Sequence, residues 1–86
     1  MKVIYGTQAL KQLKKLSKKT SDAIISYMDE VATLQNPRDR GKALTGNLKG
    51  FWRYRVEDYR VLCKITDTTL LITVVRVGHR SSIYKI

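Results

Sequence analysis

The chain has 86 residues, 43% of them hydrophobic, with 17 Lys/Arg against 7 Asp/Glu and a net charge of +10. It is long enough for one hydrophobic core, and too apolar for a disordered basic tail. One cysteine and one histidine exclude an internal disulfide and a metal site. No run approaches the ~20 apolar residues of a membrane span, and "MKVIYGTQAL" lacks the apolar core of a signal peptide. A single cytoplasmic domain spanning residues 1–86 is expected. Residues 1–45 and 46–86 each carry +5, so the whole body, and no appended tail, attracts a polyanion: nucleic acid, ribosome, anionic membrane or an acidic protein.

"KVIY" (2–5) reads as a first strand, and Thr7 is placed to cap a helix over about 8–16 that turns Leu10, Leu13 and Leu16 inward and Lys11, Lys14, Lys15 and Lys18 outward. "SKKTSD" connects to a second helix. Ser17 or Thr20 can cap it, and Asp22 suits the positive end of its dipole. Ile24, Tyr27, Met28, Val31 and Leu34 follow the spacing of one buried helical face. "QNPRDRG" ends that helix, with Asn36 suited to a left-handed stop and Pro37 unable to continue the hydrogen bonding. "GKALTGNLKG" reads as a loop anchored by Leu44 and Leu48. Three strand-like runs follow at 51–56, 59–65 and 69–76, joined by turns at "ED" and "TD", and "VGHRSSIYKI" closes the chain with Gly78 as a turn or bulge. The order β-α-α-β-β-β predicts an α+β fold: an antiparallel sheet with a helical hairpin packed on one face and the other face partly open.

Period-two alternation assigns the faces. Trp52, Tyr54 and Val56, with Tyr59, Val61, Cys63 and Ile65, form the apolar set, which makes Cys63 a buried structural thiol. Arg53, Arg55 and Arg60, with Leu62 and Lys64, fall on the open side. Arginine matches phosphate because its planar fork donates paired hydrogen bonds and stays charged. Glu57, Asp58 and Asp67 are too few to neutralise the set, and surface pairs are worth only about 0–1 kcal/mol. The arginines therefore predict an anion site, one geometric bet being that Arg53, Arg55, Arg60 and Arg80 share one exposed hollow. His79, beside Arg80 after a glycine turn, is either a surface residue or a proton carrier, imidazole being the side chain suited to moving a proton near neutrality. Tyr84 either stacks on a base or packs its ring on the body. Exposed Lys11, Lys14 and Lys49 extend the surface expected to contact RNA. No phosphate-cradling glycine loop opens a helix.

"KALTGNLKGFWRYRVEDYRVLCKI" followed by "ITVVRVGHRSSIY" resembles the RelE family of bacterial toxins, within the broader RelE/ParE group. The shared pattern is Leu-x-Gly, an aromatic-basic strand, Tyr-Arg-Val, an apolar strand, Val-Gly-His/Lys-Arg and a late tyrosine. The likeness is close over residues 42–84 and mainly one of layout over 1–36. It implies a RelE-like toxin that enters the ribosomal A site and cuts mRNA without metal or other cofactor. The ribose 2′-hydroxyl attacks the neighbouring phosphate to give a 2′,3′-cyclic phosphate and a 5′-hydroxyl. The implied partners are mRNA, the 70S ribosome with its 16S rRNA, and a cognate antitoxin, with no membrane. Carried onto this chain, Arg60 and Arg80 stabilise phosphate charge, Arg53 and Arg55 position RNA, Tyr84 orients or stacks on the base, and His79 is the proton carrier. Members with lysine at the strand positions use one as general base. Arginine, which keeps its proton throughout the working range, cannot readily do so, which leaves either His79 as general acid or a site that relies on positioning by the ribosome. Two alternatives remain: a toxin of the ParE type that acts on DNA gyrase, and an RNA-binding module without chemistry.

Overall fold

The computed structural model describes residues 1–79 and 83–84. Strand β1 (Lys2–Tyr5) is followed by helices α1 (Thr7–Lys14) and α2 (Lys18–Thr33), then strands β2 (Lys42–Ala43), β3 (Trp52–Val56), β4 (Tyr59–Thr66) and β5 (Leu71–His79). Single 3-10 turns lie at Pro37–Arg40 and Gly46–Leu48. The strands form one sheet in the order β1-β5-β4-β3-β2. The expected α+β class and the helical hairpin on a sheet are what the chain adopts. Two features were not expected. β1 lies beside the last strand and runs parallel to it, so the sheet is mixed. Lys42–Ala43, within the segment read as a loop, adds a short fifth strand on β3. Neither pairing leaves a local trace, because each depends on where distant backbone edges come to rest. Among the described residues no helix is long and apolar enough to cross a membrane.

The core lies between the hairpin and one sheet face. It joins Ala9 and Leu13 of α1, Ile24, Met28 and Val31 of α2, and Tyr54, Val56, Val61, Cys63, Ile72, Val74 and Val77 of the sheet. Helix α2 buries the face its spacing predicted, and Ser17 caps it, its Oγ accepting from the Thr20 N–H at 3.2 Å. Asp22 spends its charge on Lys18, four residues back, at 2.8 Å. Asn36 is not left-handed but extended, at φ −127°, and its side chain accepts from the Arg38 N–H to open the turn that contains Pro37.

Helix α1 is rotated from the expected face. Leu10 is 46% exposed, whereas Ala9 is fully buried. Thr7 lies inside the helix, and Gly6 takes the capping position without a side-chain bond. The cause is on β5. β1 leaves the sheet at Gly6, whose N–H donates to the Val74 carbonyl at 2.9 Å, so β5 beyond that point lacks a strand on this side. The Val77 N–H there donates instead to the side-chain oxygen of Gln12 at 2.6 Å. Gln12 shares a face with Ala9 and Leu13 by i, i+3, i+4 spacing, and satisfying that buried N–H turns Leu10 outward.

Leu70, before β5, sits at φ +52°. A bulky side chain pays about 1–2 kcal/mol for that left-handed conformation, and this one is 61% exposed, so it recovers little by burial. Leu70→Gly is expected to stabilise the protein by about 1 kcal/mol and raise the melting temperature by roughly 4–8 °C, read by thermal denaturation.

Stability should also fall in alkali. Burial pushes the Tyr5 hydroxyl up to about 12, helped by the nearby Asp29 charge, and burial likewise pushes Tyr54 and Cys63 upward. All three acids hold their protons more tightly folded than unfolded. Their contribution is therefore complete below the unfolded thiol value of about 8.5 and is lost as pH rises through the unfolded thiol and phenol values towards 12. Denaturation midpoints that decline from about pH 9 upward are the expected result; a flat profile to pH 11 would contradict it.

Candidate nucleic-acid interface

The sheet face away from the helices is built in cross-strand rows. In one row Lys42, Arg53, Leu62 and Arg76 stand side by side on β2, β3, β4 and β5. In the next, Arg55 pairs with Arg60, and Arg60 with Gly78. Lys64, on the same face of β4, lies beside Phe51, its Nζ 4.9 Å from the ring centroid. Lys42, Arg53, Arg55, Arg60, Lys64 and Arg76 thus bring six cations to this face, and no strand position on it holds a carboxylate.

Like charges directly across a ladder are destabilising, and among the described residues no carboxylate pairs with Arg53, Arg55 or Arg60. The ion pairs between described residues are Lys18–Asp22, Arg38–Asp67 and Arg40–Glu30. Arg53, Arg55 and Arg60 join none of these. Among the described residues Arg60 donates only to the neighbouring Tyr59 carbonyl, at 3.3 Å. The buried Nε–H of Arg53 has no hydrogen-bond partner among the described residues, and leaving such a donor unpaired costs about 1–3 kcal/mol or more. The arrangement is suited to an incoming anion.

One end of the face is roofed. Leu62 is 2% exposed, and it packs with Leu48 and Ile83, flanked by Leu44, Phe51, Val75 and Tyr84. Leu44 and Leu48 act as the anchors their loop suggested. Gly78 allows the last turn to fold back: a Cβ there would stand 3.3 Å from the Ile83 Cβ. Arg76 Nη1 donates to the Ile83 carbonyl at 3.2 Å, which holds the turn carrying Tyr84 against the sheet. A register shift beside Leu62 and Cys63 places both Val75 and Arg76 on this side.

Of the residues singled out in the sequence, Arg53, Arg55 and Arg60 come together, and Tyr84 packs on the apolar cluster of the same face. Arg80 lies outside the described residues. Lys49 is exposed in the loop that Leu48 anchors here. Lys11 and Lys14 do not join the site: they are exposed on α1, across the sheet from the arginines. His79 pairs with Tyr59 in register, and its ring meets the Tyr59 ring edge-on at 5.3 Å, on the side of the sheet that Tyr59 shares with the core. That position separates it from Arg60, because alternation sends Gly78 and His79 to opposite faces. Sequence reasoning passed over Lys42 and Arg76. The signal for Arg76 was the "VVRV" run, in which inward valines stand three apart, as a bulge requires.

This architecture is shared with toxins of type II toxin–antitoxin systems. The chain is similar to a chain of the toxin–antitoxin complex RelBE2 from Mycobacterium tuberculosis, at 29% identity and a TM-score of 0.84 over 93% of this chain and 91% of that one. It is similar to a histidine variant of YafQ from E. coli, at 26% identity and a TM-score of 0.72 over 96% and 97% of the two chains. A variant of E. coli RelE in the free state shares the fold at 23% identity and a TM-score of 0.77 over 95% and 87%. No curated protein sequence matches. The model of the ParE toxin of the type II system parDE matches residues 3–84, and the chain belongs to that family, within the RelE/ParE superfamily.

Proposed function

We propose that this toxin is an endoribonuclease that cuts mRNA in the ribosomal A site and is held inactive by a cognate antitoxin. The observation that carries the proposal is the arginine set, with Arg55 directly opposite Arg60, no described partner for the Arg53 Nε–H beside them, and no described carboxylate paired with any of the three. A scissile phosphate gains a second negative charge as the 2′-hydroxyl attacks it, and fixed guanidinium donors stabilise that change more than they stabilise the ground state. Arg60 serves the phosphate, together with Arg80 as the resemblance implies. Arg53 and Arg55 position the flanking strand and 16S rRNA, with Lys49 at the margin. Tyr84 orients the base. The attack forms the 2′,3′-cyclic phosphate as the bond to the leaving 5′-oxygen breaks, and that oxygen takes a proton to end as a 5′-hydroxyl. The position of His79 on Tyr59 favours the version in which the ribosome supplies positioning and no strong general base is built into the toxin. The antitoxin is expected to be acidic or amphipathic, partly disordered alone, and to fold across the basic surface.

The family match to ParE supports a second reading, action on DNA gyrase. Induced expression followed by mapping of mRNA 5′ ends separates the two. Ends locked to one codon position, bearing 5′-hydroxyls, are the expected result. Gyrase-dependent DNA breaks with intact mRNA would overturn the nuclease reading in favour of the second.

A further inference from the structure

Beside the arginines, the open face holds a cleft of about 210 Å³ lined by Phe51, Leu62, Lys64, Val75 and Arg76. Phe51, Leu62 and Val75 make its apolar walls, Lys64 sits over the Phe51 ring at 4.9 Å, and Arg76 closes the β5 side. Among the described residues no carboxylate lines it. The volume suits a single planar ring system and is too small for a peptide helix. Leu62 and Arg76 belong to the same cross-strand row as Arg53. Arg53 is two strands from Arg76, roughly 10 Å at the usual strand spacing, so a single strand crossing the sheet meets the cleft and the arginines in succession.

We infer that this cleft is a nucleobase subsite. It takes one base of single-stranded RNA against the Phe51 ring, while Lys64 and Arg76 hold a phosphate flanking that base. The neighbouring phosphate falls to Arg53, Arg55 and Arg60. The inference deepens the ribonuclease reading and rests on it for the identity of the polymer. An acidic peptide would use the two cations but gain nothing specific from the aromatic wall. A base uses both, since stacking on an aromatic side chain is tolerant of sequence and adds to phosphate attraction.

The test is NMR titration of the full chain with nucleoside 5′-monophosphates, ribose 5-phosphate, inorganic phosphate and a glutamate-rich peptide. Nucleotides are expected to shift signals of Phe51, Lys64 and Val75, and to bind about five- to a hundredfold more tightly than ribose 5-phosphate. Inorganic phosphate should shift Arg53, Arg55 and Arg60 instead. Phe51→Leu should reduce the preference for nucleotide over ribose 5-phosphate at least severalfold, and the exposed Lys64→Ala should weaken both of these ligands severalfold, each variant leaving the inorganic-phosphate shifts of Arg53, Arg55 and Arg60 in place. Equal affinity for nucleotide and ribose 5-phosphate, base-dependent shifts elsewhere, or a cleft that responds only to the peptide would each overturn the inference. The ribonuclease reading fails by a different measurement, intact mRNA after induction, and base-dependent shifts at Phe51 would still establish the subsite in that case.

Discussion

Arg60→Ala is expected to lower cleavage of mRNA on programmed ribosomes by about a hundredfold to a thousandfold, equivalent to about 3–4 kcal/mol of transition-state stabilisation. Arg60 is on the central strand of the basic face, between Arg55 and Gly78. Its one described hydrogen bond goes to the adjacent Tyr59 carbonyl at 3.3 Å, so its removal unseats nothing in the core. The melting temperature of the variant should therefore stay close to that of the parent, within the roughly 0.5 kcal/mol typical of surface changes. Arg60→Lys should recover only part of the rate, because a point charge replaces a planar fork. Growth arrest on induction should disappear with Arg60→Ala. A variant that folds normally and cleaves at the parental rate would remove Arg60 from the chemistry.

Tyr54→Ala is expected to cost about 3–5 kcal/mol, the range for emptying an aromatic site in a core. That is a large part of the stability of a chain this size and should lower the melting temperature by roughly 15–30 °C. Tyr54 is fully buried on β3, behind the arginines. Its hydroxyl donates to the Pro37 carbonyl at 2.7 Å, and its ring meets Tyr27 edge-on with centroids 6.5 Å apart. Gly41 lies directly against it, since a Cβ there would stand 3.0 Å from the Tyr54 Cζ. The residue thus ties the segment carrying β2 to the core, and with it Lys42 on the basic face. Tyr54→Phe keeps the ring and loses the hydroxyl, leaving the Pro37 carbonyl short of a partner, for about 1–2 kcal/mol. Melting curves of both variants in an Arg60→Ala background, which is expected to be harmless to the host, measure the two contributions. Equal losses would mean that the hydroxyl and not the ring anchors the segment.

The local pattern was enough to place the arginines. Arg53 and Arg55 alternate with Tyr54 and Val56, and Arg60 alternates with Val61, so once a helical hairpin takes the apolar side the guanidinium groups have only the other side to occupy. The same alternation left Cys63 in the core, and a 3.6-residue period in place of two identified the buried face of α2. Both periods are properties of a single segment, and burial of the apolar set in water is all that is needed to realise them.

Whatever depended on partners far along the chain was decided by tertiary structure. The rotation of α1 follows from the Val77 N–H that β1 leaves uncovered and Gln12 satisfies, 65 residues away in sequence. The side taken by His79 follows from its register opposite Tyr59. Arg76 joined the basic face because the ladder slips beside Leu62, a shift that alternation within one strand does not encode. Ile83 reaches Leu62 on this face because Gly78 leaves room for it. Apolar spacing specifies which way a residue faces within its own element. Which residues become neighbours across elements is settled only when buried hydrogen-bonding groups and close packing are satisfied together.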